Sequence, residues 1–232
     1  YRNKSCPSFL THPRVEHVYA DCLNMEELLP ALKDVDYAYY LIHSMRLKKE
    51  EFIVNDQKAA KNFRESAEHH GVQRIIYLGG LGEKNDRMSP HLRSRMEVGN
   101  ILSQGKVTVI RVRAAVIIGT GSASYELIKS LTLNNRFIPF IPEFNSVCQP
   151  VAIRDVIKYM VGVMETPGLG TCVFQIGGKD VLTYEEMILR FARIMNRRIR
   201  FIDVSWVPLP VDWMCRLYAY WLHCFISIPV NI

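Results

Sequence analysis

Four places in this 232-residue chain set polar or glycine residues at the end of an apolar run. They are Asp21 after 15–19, His43-Ser44 after 36–42, Gly79-Gly80 after 73–78, and Gly119-Thr120-Gly121-Ser122 after 107–118. A carboxylate such as Asp21 either caps the helix that follows or accepts from an amino group of the kind adenine carries. An imidazole and a hydroxyl ending a buried strand either serve the loop or face a ligand. Paired glycines remove all side-chain bulk, which lets a ring or backbone approach, or simply makes a turn. The G-T-G-S turn has the composition of a phosphate cradle, but Gly-Ser turns are common loops and the pattern alone decides little.

Alternating strands and helices must position these residues. The run at 15–19 (VEHVY) reads as a short strand, and Asn24 caps a helix whose Met25, Leu28, Leu29 and Leu32 share one face. The near-continuous apolar run 36–42 reads as a strand buried on both sides. A long helix over 48–70 ends at Gly71, and 73–78 is a second buried strand. Ser89-Pro90 opens a helix that Gly105 ends, and 107–118 is a strand with its extension. Ser122 or Ser124 opens the next helix. After it come an extended piece at 151–153, a helix over 154–165, a strand at 172–176, a helix over 184–195 and a strand at 199–204. Helical crossovers of this length imply βαβ units and a parallel sheet, with 36–42, 73–78 and 107–113 as neighbours in that order.

Composition sets the outer bounds. Hydrophobic residues at 49% exclude a disordered chain, and Gly 13, Pro 11 and Cys 6 exclude collagen-like and disulfide-scaffold classes. Lys+Arg 29 against Asp+Glu 23 gives a net charge of +6, which admits an anionic partner without requiring one. The cysteines show no C-x-x-C pair and no zinc-finger spacing, so six reduced thiols in the cytoplasm are expected, with no metal site. Tyr1 opens a polar segment with Arg2 and Lys4, which is no secretory leader, and the chain lacks an initiating Met, the mark of a piece of a longer protein. The stretch 205–232 carries Trp206, Trp213 and Trp221, and its apolar run 211–230 is broken by Asp212, Arg216 and His223. An amphipathic helix against another domain or at a membrane surface suits it better than a spanning helix. The arginines at 193, 197, 198 and 200 read as a solvated face, and no nucleic-acid motif accompanies them.

Six runs carry a resemblance: DYAYYLIHSM (36–45), QRIIYLGGLG (73–82), SPHLRSRMEVGNIL (89–102), RAAVIIGTGSASYE (113–126), CQPVAIRDV (148–156) and FQIGGKDVLTYEEM (174–187). With them the chain resembles an atypical short-chain dehydrogenase/reductase of the NAD(P)-dependent epimerase-like group. That group is related to NmrA-type regulators and to the nucleotide-binding accessory subunit of complex I. The resemblance implies an α/β Rossmann-like fold, a doubly wound parallel sheet. The sheet is incomplete at the N-terminus, with its first two strands and the glycine-rich turn upstream. It further implies a partial NAD(P)-binding core over 1–150 and a small substrate-side lobe over 151–232 leading into a further C-terminal domain.

The resemblance also assigns roles. Arg2 stands where a basic residue meets the 2′-phosphate of NADP, and Asp21 at the adenine-side acidic position. His43 and Ser44 line the ribose and nicotinamide. Gly79 and Gly80 stand where active relatives place a Ser or Thr, and His91 to Arg95 where they carry Y-x-x-x-K. The chain departs from the pattern at all three catalytic positions. Gly80 has no hydroxyl, His91 replaces a phenol with an imidazole that titrates far lower, and Arg95 replaces an ammonium with a guanidinium that stays protonated. The expected cofactor is NADP or NAD. Two functions stay open: an oxidoreductase or epimerase-like enzyme of unknown small-molecule substrate, with His91 as acid and Arg95 beside it, or a non-catalytic dinucleotide-binding redox sensor or assembly protein. A purely structural interaction module is the least favoured reading.

Overall fold

The computed structural model describes residues 12–42, 49–82 and 90–203. In chain order the elements are α1 (Met25–Ala31), β1 (Tyr37–Tyr40), α2 (Lys49–His69), β2 (Arg74–Gly80), α3 (Pro90–Leu102), β3 (Thr108–Ala114), β4 (Ile117–Ile118) and α4 (Ala123–Asn134). Then follow β5 (Phe137–Phe140), a 3-10 turn (Pro142–Asn145), β6 (Val147–Cys148), β7 (Val151–Ala152) and α5 (Ile153–Glu165). The last are β8 (Cys172–Ile176), β9 (Leu182–Thr183), α6 (Tyr184–Ile194) and β10 (Arg200–Asp203). They form two compact units, one of residues 1–114 with 157–176, the other of 115–156 with 177–232.

The first unit is built on a four-stranded parallel sheet in the order β1-β2-β3-β8. Helices connect β1, β2 and β3, as parallel pairing demands. Asn24 caps α1 by accepting from the Glu26 N–H, and Glu26 and Glu27 add charge that suits a helix N-terminus. Gly71, at φ +67°, ends α2 in the left-handed conformation expected of it. One sheet face presents Ala38, Tyr40, Ile75, Tyr77 and Val109. Against it pack Leu28 of α1, Ala60 and Phe63 of α2, and Val98 and Leu102 of α3. Tyr40 meets the Phe63 ring edge-on at 4.9 Å between centroids, a favoured aromatic geometry.

On the opposite face Arg74 closes the C-terminal end of α5. Its Nη1 donates to the carbonyls of Val163, Met164 and Thr166 at 2.7, 2.8 and 3.0 Å. The last carbonyls of a helix have no intrahelical donor, and a guanidinium supplies charge of the right sign. The Tyr39 hydroxyl donates to the Met160 carbonyl at 3.2 Å, one turn earlier.

Two expectations are corrected here. Residues 15–19 make no ladder and run as extended coil, with Val15, Val18 and Tyr19 exposed. A strand exists only through its neighbours, and among the described residues nothing pairs with this one. The run at 36–42 is also not buried on both sides. Tyr37 and Tyr39 are 42% and 37% exposed while Ala38 and Tyr40 are buried, because β1 is an edge of this sheet among the described residues. It is β2 that is covered on both faces.

The second unit has its own core. Ile128 and Leu131 of α4, Ile138 of β5, and Met187, Ile188 and Ala192 of α6 meet there with Phe144 and Ile199. β5 and β10 pair in parallel, β4 pairs with β7, and β6 with β9. Thr183 and Glu186 form a reciprocal capping box at the start of α6, each side chain bonding the other's backbone N–H. Gln149 ties in the 177–178 turn, its Nε2 donating to the Gly178 carbonyl at 2.7 Å.

Candidate functional site

In an open parallel sheet, ligands are taken at the carboxyl ends of the strands. In the first unit these are the ends of β1, β2 and β3. β1 is followed by Leu41 and Ile42, both exposed. β2 ends in Gly79-Gly80, which pair with Arg113 and Ala114 of β3.

Gly79 is needed for space. A Cβ there would lie 3.2 Å from Cε1 of Tyr77 and 3.8 Å from Cγ of Arg113. At Gly80 a Cβ would fall 2.6 Å from Cδ1 of Leu92, and at Gly82 it would overlap the same side chain. Leu92, on the first turn of α3, thus occupies the space that a Ser or Thr side chain would take at position 80. Its neighbour His91 is exposed.

Arg95 lies one turn further along α3. Its Nη2 donates to the Leu78 carbonyl, and its guanidinium carbon stands 5.6 Å from the centre of the Tyr77 ring. The Tyr77 hydroxyl in turn donates to the Arg95 carbonyl at 2.8 Å. Arg113 bonds the same strand end from the other side, Nε to the Gly80 carbonyl at 3.3 Å and Nη2 to that of Gly82. Arg111 lies across Gly99, where a Cβ would come within 2.7 Å of its Nε, and donates to Asn100 Oδ1 at 2.9 Å. Burial and then the charge of Arg113 depress the Arg111 guanidinium. Among the described residues no carboxylate pairs with Arg95, Arg111 or Arg113.

Below this edge lies a buried polar cluster. Asp56 of α2 is 6% exposed, and its Oδ2 accepts from Ser94 Oγ of α3 at 3.1 Å. Its Oδ1 has no partner. Burial pushes the Tyr77 phenol up, against an opposing pull from Arg95. Burial, with the charges of Cys22 and Asp56 adding, raises Tyr40 far more. Neither phenol is free to deliver a proton at neutral pH, because the charged form left behind would be buried.

Of the residues singled out in sequence, Gly79 and Gly80 end β2 and Arg95 bonds the Leu78 carbonyl beside them, while His91 is exposed on the first turn of α3 next to Leu92. Asp21 forms an Asx turn instead, Oδ1 accepting from the Leu23 N–H at 3.0 Å while its own N–H donates to Glu27. Arg2, His43 and Ser44 lie outside the described residues. The G-T-G-S turn is closed by the chain itself. Ser122 caps α4 by accepting from Tyr125, and Glu126 Oε1 accepts from the Gly121 N–H at 3.3 Å. Sequence reasoning missed Asp56, Ser94, Arg111 and Arg113. The two arginines in an apolar strand were the only visible signal.

No protein-family model matches the chain. A curated protein from Dictyostelium discoideum, NADH dehydrogenase [ubiquinone] 1 alpha subcomplex subunit 9, mitochondrial, is 24% identical over 161 residues, 68% of this chain. The chain spans 43% of that relative's length. Among solved structures, a nucleoside-diphosphate-sugar epimerase from Staphylococcus aureus superposes with a TM-score of 0.74 at 16% identity, covering 94% of this chain and 72% of that one. The UDP-N-acetylglucosamine 4-epimerase of Bacillus cereus gives 0.70 at 14% identity, covering 83% and 74%. A dTDP-glucose 4,6-dehydratase from Streptomyces venezuelae, solved with NAD bound, gives 0.67 at 16% identity, covering 82% and 68%. The chain therefore has the Rossmann-like fold that these epimerases and this dehydratase share.

Proposed function

We propose that this chain is part of an NAD(P)(H)-binding protein in which the usual Ser-Tyr-Lys site is replaced and the dinucleotide is held rather than turned over. The observation that carries the reading is the packing at the end of β2. Leu92 fills the place of the missing hydroxyl, and Arg95 is anchored on the Leu78 carbonyl.

The residues fit the ribose-nicotinamide half of such a cofactor. Gly79-Gly80 offers a strand end without side chains, and two guanidiniums without carboxylate partners, Arg95 and Arg113, bond the carbonyls on either side of it. Arg95 keeps donors for ribose hydroxyls beyond the one spent on Leu78, and Asp21 keeps its Oδ2 for an adenine amino group. Arg2 would favour NADP over NAD, because charge-assisted bonds to a 2′-phosphate have no counterpart in NAD. When bound, the dinucleotide supplies hydride-transfer capacity. At positions 80 and 91 stand a glycine and a histidine, in place of a hydroxyl and a phenol that would stabilise a developing alkoxide. The name of the Dictyostelium relative supports a use of the fold within an assembly.

The exposure of His91 on the first turn of α3 favours a second reading, a slow reductase with that imidazole as acid. One assay separates the two. NADPH oxidation by the full-length protein with generic carbonyl substrates should stay at background. Turnover that falls as pH rises and is abolished in His91→Phe would establish the second reading.

A further inference from the structure

One end of the second unit combines positive charge with protruding apolar side chains. β5 and β10 start there side by side, with Arg200 registered on Phe137 and its N–H bonded to the Arg136 carbonyl at 3.0 Å. α6 ends there, and its exit turn leads straight into β10. The C-terminus of α4 reaches the same end, where Arg197 Nη2 donates to the Leu133 carbonyl at 3.3 Å. Residues 127–142 and 187–202 contain no Asp or Glu. Among the described residues none of Arg136, Arg193, Arg197, Arg198 or Arg200 pairs with a carboxylate.

Arginines near helix C-termini are favoured by the helix dipole, and Arg197 has that use. The dipole does not account for the apolar residues among them. Ile194 is 80% exposed, Phe137 53% and Met195 40%. Single exposed apolar residues are ordinary, but three beside five unpaired guanidiniums form a mixed patch. Apolar residues among Arg and Lys are the composition by which proteins lie on a bilayer interface.

We propose that this end of the second unit docks on an anionic lipid bilayer, with the arginines at the headgroups and Ile194, Phe137 and Met195 entering the interface. Nucleic acid fits less well, because Ile194, the most exposed of the three, and Met195 are not aromatic and leave Phe137 as the single ring able to stack on a base.

The test is cosedimentation of the full chain with phosphatidylcholine vesicles, with and without phosphatidylserine. Each arginine near an anionic leaflet is worth about fivefold in partitioning. Binding should require phosphatidylserine and be lost in high salt. Arg193→Gln with Arg198→Gln should weaken it about 25-fold on the same scale. Ile194→Ser should weaken it further without changing its salt dependence, and Ile194→Trp should strengthen it. These side chains are exposed, so the melts should superimpose. Equal binding to both vesicle types, binding unchanged in the Arg pair variant, or capture by polyuridylate RNA but not by vesicles would overturn the proposal, as would no binding at all.

Discussion

Leu92 and Gly80 share one space: Cδ1 of Leu92 stands 2.6 Å from where a Cβ on Gly80 would be. The pair closes the end of β2 with an apolar side chain. Gly80→Val should therefore destabilise the first unit by about 1–3 kcal/mol, the usual cost of overpacking. Gly80→Ala should cost less, because only the far end of a leucine must move. Adding Leu92→Ala to Gly80→Val should return part of the loss. Urea midpoints of wild type, Gly80→Val, Leu92→Ala and the double variant give the coupling, and strict additivity would mean that the two side chains do not meet.

Arg74 closes α5 with three carbonyl contacts from one nitrogen. Arg74→Leu should cost about 1.5–3 kcal/mol, since bonds from a charged donor to partly buried carbonyls are lost. Arg74→Lys should recover part of this. Equal unfolding midpoints for wild type and Arg74→Leu would contradict the cap.

Alkaline pH should destabilise the first unit. Burial, with the charge of Asp21 adding, pushes the Cys22 thiol from an ordinary 9.0 up to about 11. The unfolded chain therefore loses this proton before the folded one. In the window from about pH 9 to 11 the folded state binds more protons, so stability falls as pH rises. Solvent screening leaves a loss on the order of 1–2 kcal/mol. Tyr40, raised chiefly by burial from 10.0, adds in the same direction at the upper end. Cys22→Ser should flatten the lower part of the profile and Tyr40→Phe the upper part, as read by urea midpoints at a series of pH values.

In the second unit, a Cβ on Gly178 would overlap the Pro150 carbonyl oxygen, which is backbone and cannot rotate away. The Gln149 amide holds the two segments in register at 2.7 Å. Gly178→Ala should cost about 1–3 kcal/mol, and Gln149→Leu about 1 kcal/mol. A Gly178→Ala melt matching wild type would show that the segments are looser than the bond implies.

Much of the sheet was legible in the sequence. The apolar runs at 73–78 and 107–113, the glycine at 71 and the helix after 184 each have a local cause, and they stand where expected. The failures have tertiary causes. The 15–19 run has strand propensity but no neighbour to bond. β5 carries Pro139, which cannot donate to a ladder, and nothing local marks it as a strand; it forms by pairing with β10. At the candidate site, the end of an apolar run marked Gly79 and Gly80, while only the family resemblance pointed to His91 and Arg95. Leu92 over Gly80, the Asp56–Ser94 contact and the Arg113 clamp on the β2 exit join residues far apart in the chain, and no local pattern announces them.

The central claim, that this fold holds a nicotinamide dinucleotide, is tested most directly by calorimetric titration of the complete gene product with NADPH and with NADH. The account predicts saturable binding at one site, NADPH the tighter. Arg2→Ala should weaken NADPH more than NADH, by about 1.5–3 kcal/mol. No binding of either dinucleotide by the folded protein would contradict it.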